Sequence, residues 1–370
     1  MKRTQLFDYH RQNGKLVEFA GYEMPLWYTS ISEEHLAVRN ACGIFDVSHM
    51  GRIAIKGSGA GTLLEGLVPT NVQSQPAAKS FYTLLLNDRA GIIDDLIIIR
   101  KAQDEFLAVV NAANKDRDLD HIVKRAEGMA VEIEDQTGTS AMIALQGPHA
   151  AEVLAPLTGI DLASLKRFRS ADAEVLGHPC TVSRTGYTGE DGFEIIVRGT
   201  TVEEPKRVLA VWTALAKSAR PCGLGARDSL RLEAGYPLHG SDIDESTNPF
   251  QAGLSWVLSA GKTGYVGSEA VSQIRDSPPD IVTKGIILDT GIPRHGFDVF
   301  GDGGRVGTVT SGTFSPILKK GIALSKVSAR VTDAETPWVA IRDSKPRGRF
   351  AKPPFYDEKL YGWKRQGNSK

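Results

Sequence analysis

At 370 residues the chain can bury a large core and should divide into two or three domains. Lysine plus arginine equals aspartate plus glutamate, 44 each, which excludes the overall basic signature of a nucleic-acid binder. Three scattered cysteines, Cys42, Cys180 and Cys222, form no CxxC pair, so no zinc site, other metal or disulfide framework is expected, and the usage fits a reducing compartment.

The first residues, Met1-Lys-Arg-Thr-Gln-Leu-Phe-Asp8, lack the apolar core of a secretion signal. The longest apolar runs fall far short of the roughly 20 residues that span a bilayer. A cytoplasmic protein without membrane contact is expected. Residues 31–44 carry a helical pattern, with Ile31, Leu36, Val38 and Ile44 set among Glu33, Glu34 and Arg39. Strands are expected at Arg52–Ile55, Ser80–Leu86, Gly91–Ile99 and Glu105–Val110. Helices are expected at Ser58–Leu67 and Asn114–Ala126, the second opened by Asn114 as a cap. Met142–Leu145 reads as a strand closed by Gln146-Gly-Pro148, and Ala150–Leu157 restarts as a helix. A strand at Phe193–Val197 and a helix near Glu203–Ala219 follow. Beyond about residue 280 glycine, valine and threonine dominate, with turns at Asp302-Gly-Gly304 and Ser311-Gly312, which suggests a small all-β domain. The polar stretch Arg275–Asp280 is the expected linker.

The most informative local feature is the acid pair in Gly91-Ile-Ile-Asp-Asp-Leu-Ile-Ile-Ile99. It reads as a buried strand entered through a turn at Ala90-Gly91. Alternation along a strand sends Asp94 and Asp95 to opposite faces, so at least one should point into protein or a pocket. Burying an unpaired carboxylate costs several kcal/mol, of order, so it needs either a partner or a task.

Several nucleotide and hydrolase signatures fail. Gly261-Lys262-Thr263 resembles the end of a phosphate loop, but Trp256 stands where its first glycine belongs. Gly301-Asp-Gly-Gly304 leads into the strand Val306–Val309 and reads as a hairpin turn, offering phosphate no helix N-terminus. Neither HExxH nor GxSxG occurs.

Two segments remain. Thr185-Gly-Tyr-Thr-Gly-Glu-Asp-Gly-Phe-Glu194 is a turn-rich loop feeding a strand. Its glycines permit close backbone approach to a ligand, Tyr187 offers a flat face, and Glu194 sits at a costly place for a carboxylate. Glu194 can accept two parallel hydrogen bonds from an amino-pyrimidinone edge, or it can pair with an arginine. Gly225–Gly235 reads as a capped helix with Asp228 near its start and Gly235 as its stop. Arg227 and Arg231, four apart on one face, call for a shared anionic partner, from the protein or from a ligand; Arg227 is the candidate for ligand contact and Arg231 reads as structural.

With these residues assembled, the chain resembles the aminomethyltransferase (T-protein) family of the glycine cleavage system, from Leu6 to about Phe355. The resemblance is carried by Phe19-Ala-Gly-Tyr-Glu-Met-Pro25, Phe45-Asp-Val-Ser-His-Met-Gly51, Gly91–Leu96, Leu145-Gln-Gly-Pro148, Thr185–Glu194, Ala226–Gly235 and Gly307–Gly312 with Ser315-Pro316. It implies an α+β protein in a three-domain, cloverleaf-like arrangement around a central folate hole. Residues 1–50 with 140–275 would form a discontinuous folate-binding domain, 51–139 an α+β insertion carrying the catalytic acid, and 281–370 a small β-barrel domain. It implies Asp95 as the catalytic aspartate, and Tyr82, Asn111, Tyr187, Glu194 and Arg227 as folate contacts. The implied reaction moves an aminomethyl carbon from the lipoyl H-protein carrier to tetrahydrofolate.

Three positions depart from the family pattern: Trp27 where Gln is usual, Tyr22 where Trp is usual, and His239 where Tyr is common. Iron–sulfur-assembly relatives carry Lys-Gly-Cys, whereas Lys262-Thr-Gly-Tyr-Val-Gly267 has no cysteine. A folate-binding accessory protein and a folate-dependent demethylase stay open as alternatives. The stretch Arg342–Lys370 holds nine Lys/Arg against three Asp/Glu, either a solvated tail or an electrostatic dock for an acidic carrier or polyglutamylated folate.

Overall fold

The computed structural model describes residues 1–365. Three main sheets organise it. The first has five strands in the order Lys79–Leu86, Ile92–Ala102, Glu105–Val110, Gly51–Lys56 and Glu132–Asp135, all antiparallel. Helices Ala60–Leu67 and Lys115–Arg125 cover one face and bury Leu63, Leu64, Leu67 and Ile122 against Ile53, Ile55, Ile98 and Phe106. The apolar periodicity of Ala60–Leu67 suits that single-sided burial.

The second sheet has six strands, in the order Ser170–Val175, His178–Ser183, Gly192–Arg198, Ser140–Gln146, Gly43–Asp46 and Arg220–Pro221. Helix Lys206–Leu215 buries Val208, Val211 and Trp212 against Ile143, Leu145 and Ile195. The chain leaves this sheet after Asp46, builds the five-stranded sheet, and returns at Ser140. The third sheet spans Ile281–Ala351 and is antiparallel throughout. An α+β body followed by an all-β C-terminal unit is the fold class expected from the sequence. Among the described residues no helix is long and apolar enough to cross a membrane.

Helix Leu224–Ala234 joins the parts, packing against helix Ile31–Asn40, strand Tyr22–Trp27 and two strands of the C-terminal sheet. Gly235 ends it with φ +77, as its reading as a stop requires. Behind this helix lies a buried ionic cluster. Arg39 reaches Glu233 and Glu190, and His35 Nε2 lies 2.9 Å from Glu233. Arg365, near the basic C-terminus, pairs with Glu190 and donates to the Arg39 carbonyl. That cation is therefore committed to the fold; residues 366–370 of the basic stretch lie outside the described residues.

Several sequence readings are corrected. The helical pattern of 31–44 stops at Asn40, and Ile44 belongs to a strand. Gly43 lets that strand slide under Val38 and Cys222, where a Cβ would lie 2.5 and 2.8 Å from their side chains. Asn114 stands at the start of its helix but makes no cap bond, because its amide is drawn to the acid strand. Asp228 lies near the start of its helix as expected, and Gly223 is the N-cap. Ser311-Gly312 is not a turn. It lies within strand Gly304–Ser315, beside a bulge that lets Ser311 Oγ reach Asp242 at 2.8 Å. The hairpin at Asp302–Gly304 forms as expected. Lys262, from the failed phosphate loop, donates to the carbonyls of Val68 and Thr70 and pairs with Glu65, so it is a structural fastener.

Candidate functional site

The acid strand begins at a crowded turn. Ala90 adopts φ +64, and Gly91 passes so near residue 245 that a Cβ would sit 1.8 Å from the Glu245 carbonyl oxygen. Only glycine fits there. On one side Asp95 and Asp94 face Leu84 and Leu85, and Ile93 bulges out of register before Ile92 meets Leu86. On the other side the ladder begins only at Ile97 opposite Val109. Next to the two acids the neighbouring strand has therefore ended, and its continuation, Asn111, turns back toward them.

Asp94 is fully buried and surrounded by donors. Its Oδ1 accepts from the side-chain amides of Asn111 (2.9 Å) and Asn114 (2.5 Å), and its Oδ2 from the Asn111 backbone N–H (2.9 Å). Asn114 is held in turn by His239, whose Nδ1 lies 3.0 Å from its amide nitrogen. The His239 Nε2–H therefore donates to the Ile92 carbonyl at 3.2 Å. His239, one of the departures from the family pattern, thus supports the acid strand through Asn114 and Ile92.

Asp95 is different: it keeps surface open to solvent. Tyr82 O–H donates to its Oδ2 at 3.0 Å, and the Asn111 amide donates to its Oδ1 at 2.9 Å. Burial and the charge of Asp94 push its carboxyl up to about 7, against the pull of those two donors. Simple alternation would have separated the acids. Instead one amide, that of Asn111, touches both, because the ladder is open at that point. Tyr82 also stacks on Trp256, centroids 5.5 Å apart, and Trp256 is 67 % exposed.

The loop Thr185–Glu194 closes the second side. Gln146 staples it, donating to the Thr185 carbonyl at 3.1 Å and accepting from the Thr188 hydroxyl at 2.8 Å. At Gly186 a Cβ would lie 1.9 Å from the Gln146 side chain, so a larger residue would displace the staple. Glu194 accepts a short hydrogen bond from the Thr185 hydroxyl and makes no ion pair with an arginine among the described residues. Burial raises its pKa, offset in part by Thr185 and by the charge of Arg227.

Arg227 and Arg231 turn out unlike. Arg231 is buried between Asp228 and Asp242, both at 2.8 Å, and donates to Ser311, so it ties the helix to the C-terminal sheet. Arg227 has no such acid among the described residues; its guanidinium lies 4.7 Å above the Tyr187 ring. Burial lowers its pKa, opposed by Tyr187 and Glu194. The described residues do not supply the shared anion expected from the spacing. Nearby, burial and the charge of Arg227 drive the His49 imidazole down to about 3, and its Nδ1 has no partner among the described residues. Tyr187 connects the two sides, for the charges of both Asp95 and Arg227 bear on its phenol.

Tyr82, Asp95, Asn111, Tyr187, Glu194 and Arg227 each retain partial exposure, while the groups holding them, Asp94, Asn114, Thr185 and Gln146, are buried. Burial is nonetheless the leading cause of the shifts at Tyr82, Asp95, Tyr187, Glu194 and Arg227. Surface that is open yet strongly desolvated belongs to a recess. The sequence reading missed the supports Asn114 and Gln146 and the buried His49. Gln146 and His49 sit within the family-like blocks Leu145–Pro148 and Phe45–Gly51, and the capping expected of Asn114 gives way to its bond with Asp94.

Two family models match in order along the chain: the GCVT N-terminal domain over residues 6–262 and the glycine cleavage T-protein C-terminal barrel domain over residues 283–357. The aminomethyltransferase of Thermotoga maritima is 43% identical over 363 residues, covering 96% of this chain and 98% of that protein. An aminomethyltransferase of Thermus thermophilus is 44% identical over 331 residues, covering 88% and 91%. The crystal structure of glycine cleavage system aminomethyltransferase T from Bartonella henselae matches with a TM-score of 0.90 at 34% identity, covering 98% of this chain and 99% of that one. With this agreement in sequence, domain order and fold, the chain belongs to the glycine cleavage T-protein family and is an enzyme of the aminomethyltransferase type.

Proposed function

We propose that the chain transfers the methylene carbon of an aminomethyl group, carried on the dihydrolipoyl sulfur of the H-protein, to tetrahydrofolate. The products are 5,10-methylenetetrahydrofolate, ammonia and reduced carrier. The observation that carries this reading is Asp95: a partly exposed carboxylate, aimed by Tyr82 and Asn111, with its pKa raised to about 7.

The recess suits a reduced folate. Glu194 has Thr185 as its one hydrogen-bonding partner among the described residues and keeps acceptor capacity for a ring N–H and an amino group. Tyr187 presents a flat face, and Arg227, free of a protein acid among the described residues, suits a carboxylate or polar atom of the glutamyl side. The Asn111 amide nitrogen is already engaged by the two acids, so its carbonyl oxygen is what remains for the pterin. When bound, tetrahydrofolate supplies the nucleophilic nitrogen.

The protein's part is electrostatic and positional. As ammonia leaves, positive charge grows on the transferred carbon. A pre-placed carboxylate at Asp95 stabilises that charge without reorganising, and a pKa near neutrality lets it take or return a proton. Tyr82 and Asn111 fix the direction of its two oxygens. Ammonia release from aminomethylated carrier protein, with and without tetrahydrofolate, tests the reading. Release that depends on folate and fails in Asp95→Asn supports it; release indifferent to folate removes it.

A further inference from the structure

Behind the acid pair lies a third carboxyl that the proposed reaction does not use. Asp118 is on helix Lys115–Arg125, one turn after Asn114, and its backbone N–H donates to the Asn114 carbonyl at 2.8 Å. Its side chain is fully buried, and among the described residues neither carboxyl oxygen receives a hydrogen bond from any donor. An ionised carboxylate left so would be heavily penalised. Asn114, one turn earlier on the same helix face, donates to Asp94 Oδ1 at 2.5 Å, which brings Asp118 beside that acid, and Asp94 is the charged side chain that bears most on it. Asp94 already accepts three hydrogen bonds and acts only as an acceptor. Two facing carboxyls are compatible only when one of them carries a proton and donates it.

We propose that Asp118 is a positioning residue, which holds a proton toward Asp94 and completes the set of donors that fixes Asp94 as acceptor and Asp95 as the acid that titrates. The surroundings agree on which carboxyl keeps the proton. Asp94 and Asp95 face Asp118 from the acid strand, and both favour its neutral form, as does burial; Arg117, on its own helix, is the opposing charge. Together these push its carboxyl up to about 10. His239 approaches only through Asn114, whose amide stands between it and Asp94. With the proton on Asp118, Asp94 has four donors around its two oxygens. Asp95 has two, and it is the member of the group that opens on the recess.

This inference rests on Asp95 as the reacting acid, but its test separates the two claims. Infrared difference spectra of the full-length protein at pH 9, where Asp95 has ionised, are expected to keep a protonated-carboxyl C=O band that disappears in Asp118→Asn. The absence of that band in the wild type overturns the proposal whatever the status of Asp95. Turnover supplies a second readout. Asp118→Asn retains an N–H donor and is expected to stay within about twofold of wild type. Asp118→Leu, of similar size but without a donor, should lose about tenfold in kcat with the KM for folate little changed. A larger loss in Asp118→Asn than in Asp118→Leu would mean that Asp118 works as an anion, which also overturns the proposal. If the leucine variant does not fold, the infrared comparison decides alone.

Discussion

Tyr82 donates its phenolic O–H to Oδ2 of Asp95 at 3.0 Å while the face of its ring stacks on Trp256. One side chain thereby aims the acid and walls the recess. Its own pKa is held well above the usual range, first by burial and then by the charge of Asp95, so it remains a donor across the working range of pH.

Asp95→Asn removes the charge and spares the shape. Turnover should fall by about 10²–10³, the cost of removing one electrostatic group from an active site. Folate affinity, measured by calorimetry, should change little. Undiminished ammonia release in this variant would dismiss Asp95 as the reacting acid.

The pH profile follows from the same group. In the proposed reaction the carboxylate form stabilises positive charge, and burial beside Asp94 pushes the Asp95 carboxyl up to about 7. Single-turnover rates should therefore rise as pH increases through about 7 and be lost below it. Asn in place of Asp95 should abolish that limb. A limb unchanged in the variant would assign it to another group.

Glu194→Ala should weaken folate binding by about 10–100-fold, the usual worth of a charged hydrogen-bond acceptor. Glu194→Gln, which keeps one acceptor and adds a donor, should be intermediate. Titration calorimetry reads both, and equal affinity in wild type and Glu194→Ala would refute the anchor role.

The two arginines of helix Leu224–Ala234 should respond differently. Arg231→Ala leaves Asp242 buried without its cation and should cost about 3–5 kcal/mol of stability, read as a lowered Tm. Arg227→Ala breaks no ion pair among the described residues, so its Tm should hold while folate affinity falls. A large loss of Tm in Arg227→Ala would assign it a structural role.

Asp118 also makes a stability prediction. Its folded pKa, about 10, lies above the unfolded value near 4, so over that interval the native state holds a proton that the unfolded state has released. Stability from this group therefore falls as pH rises, by up to about 1.4 kcal/mol per unit. Asp118→Asn removes the slope, and its Tm relative to wild type should climb steadily from pH 5 to pH 9. A constant difference would contradict a proton held on Asp118.

What the sequence determined by itself is local or collective. The turn at Ala90-Gly91, the hairpin at Asp302–Gly304 and the stop at Gly235 follow from backbone chemistry within a few residues. The α+β-then-β order follows from composition, and the family from many short blocks in register. The resemblance points to Asp95 as the reacting acid, but only the tertiary structure decided what holds each acid of the pair. That outcome depends on Asn111, Asn114 and Tyr82, which come from other elements and meet Asp94 and Asp95 where a ladder happens to end. The structural role expected of Arg231 likewise takes its partners, Asp242 and Ser311, from distant segments that its spacing to Arg227 does not encode. Periodicity encodes the direction of a side chain, but its charge state and partners are set by what the folded chain brings against it.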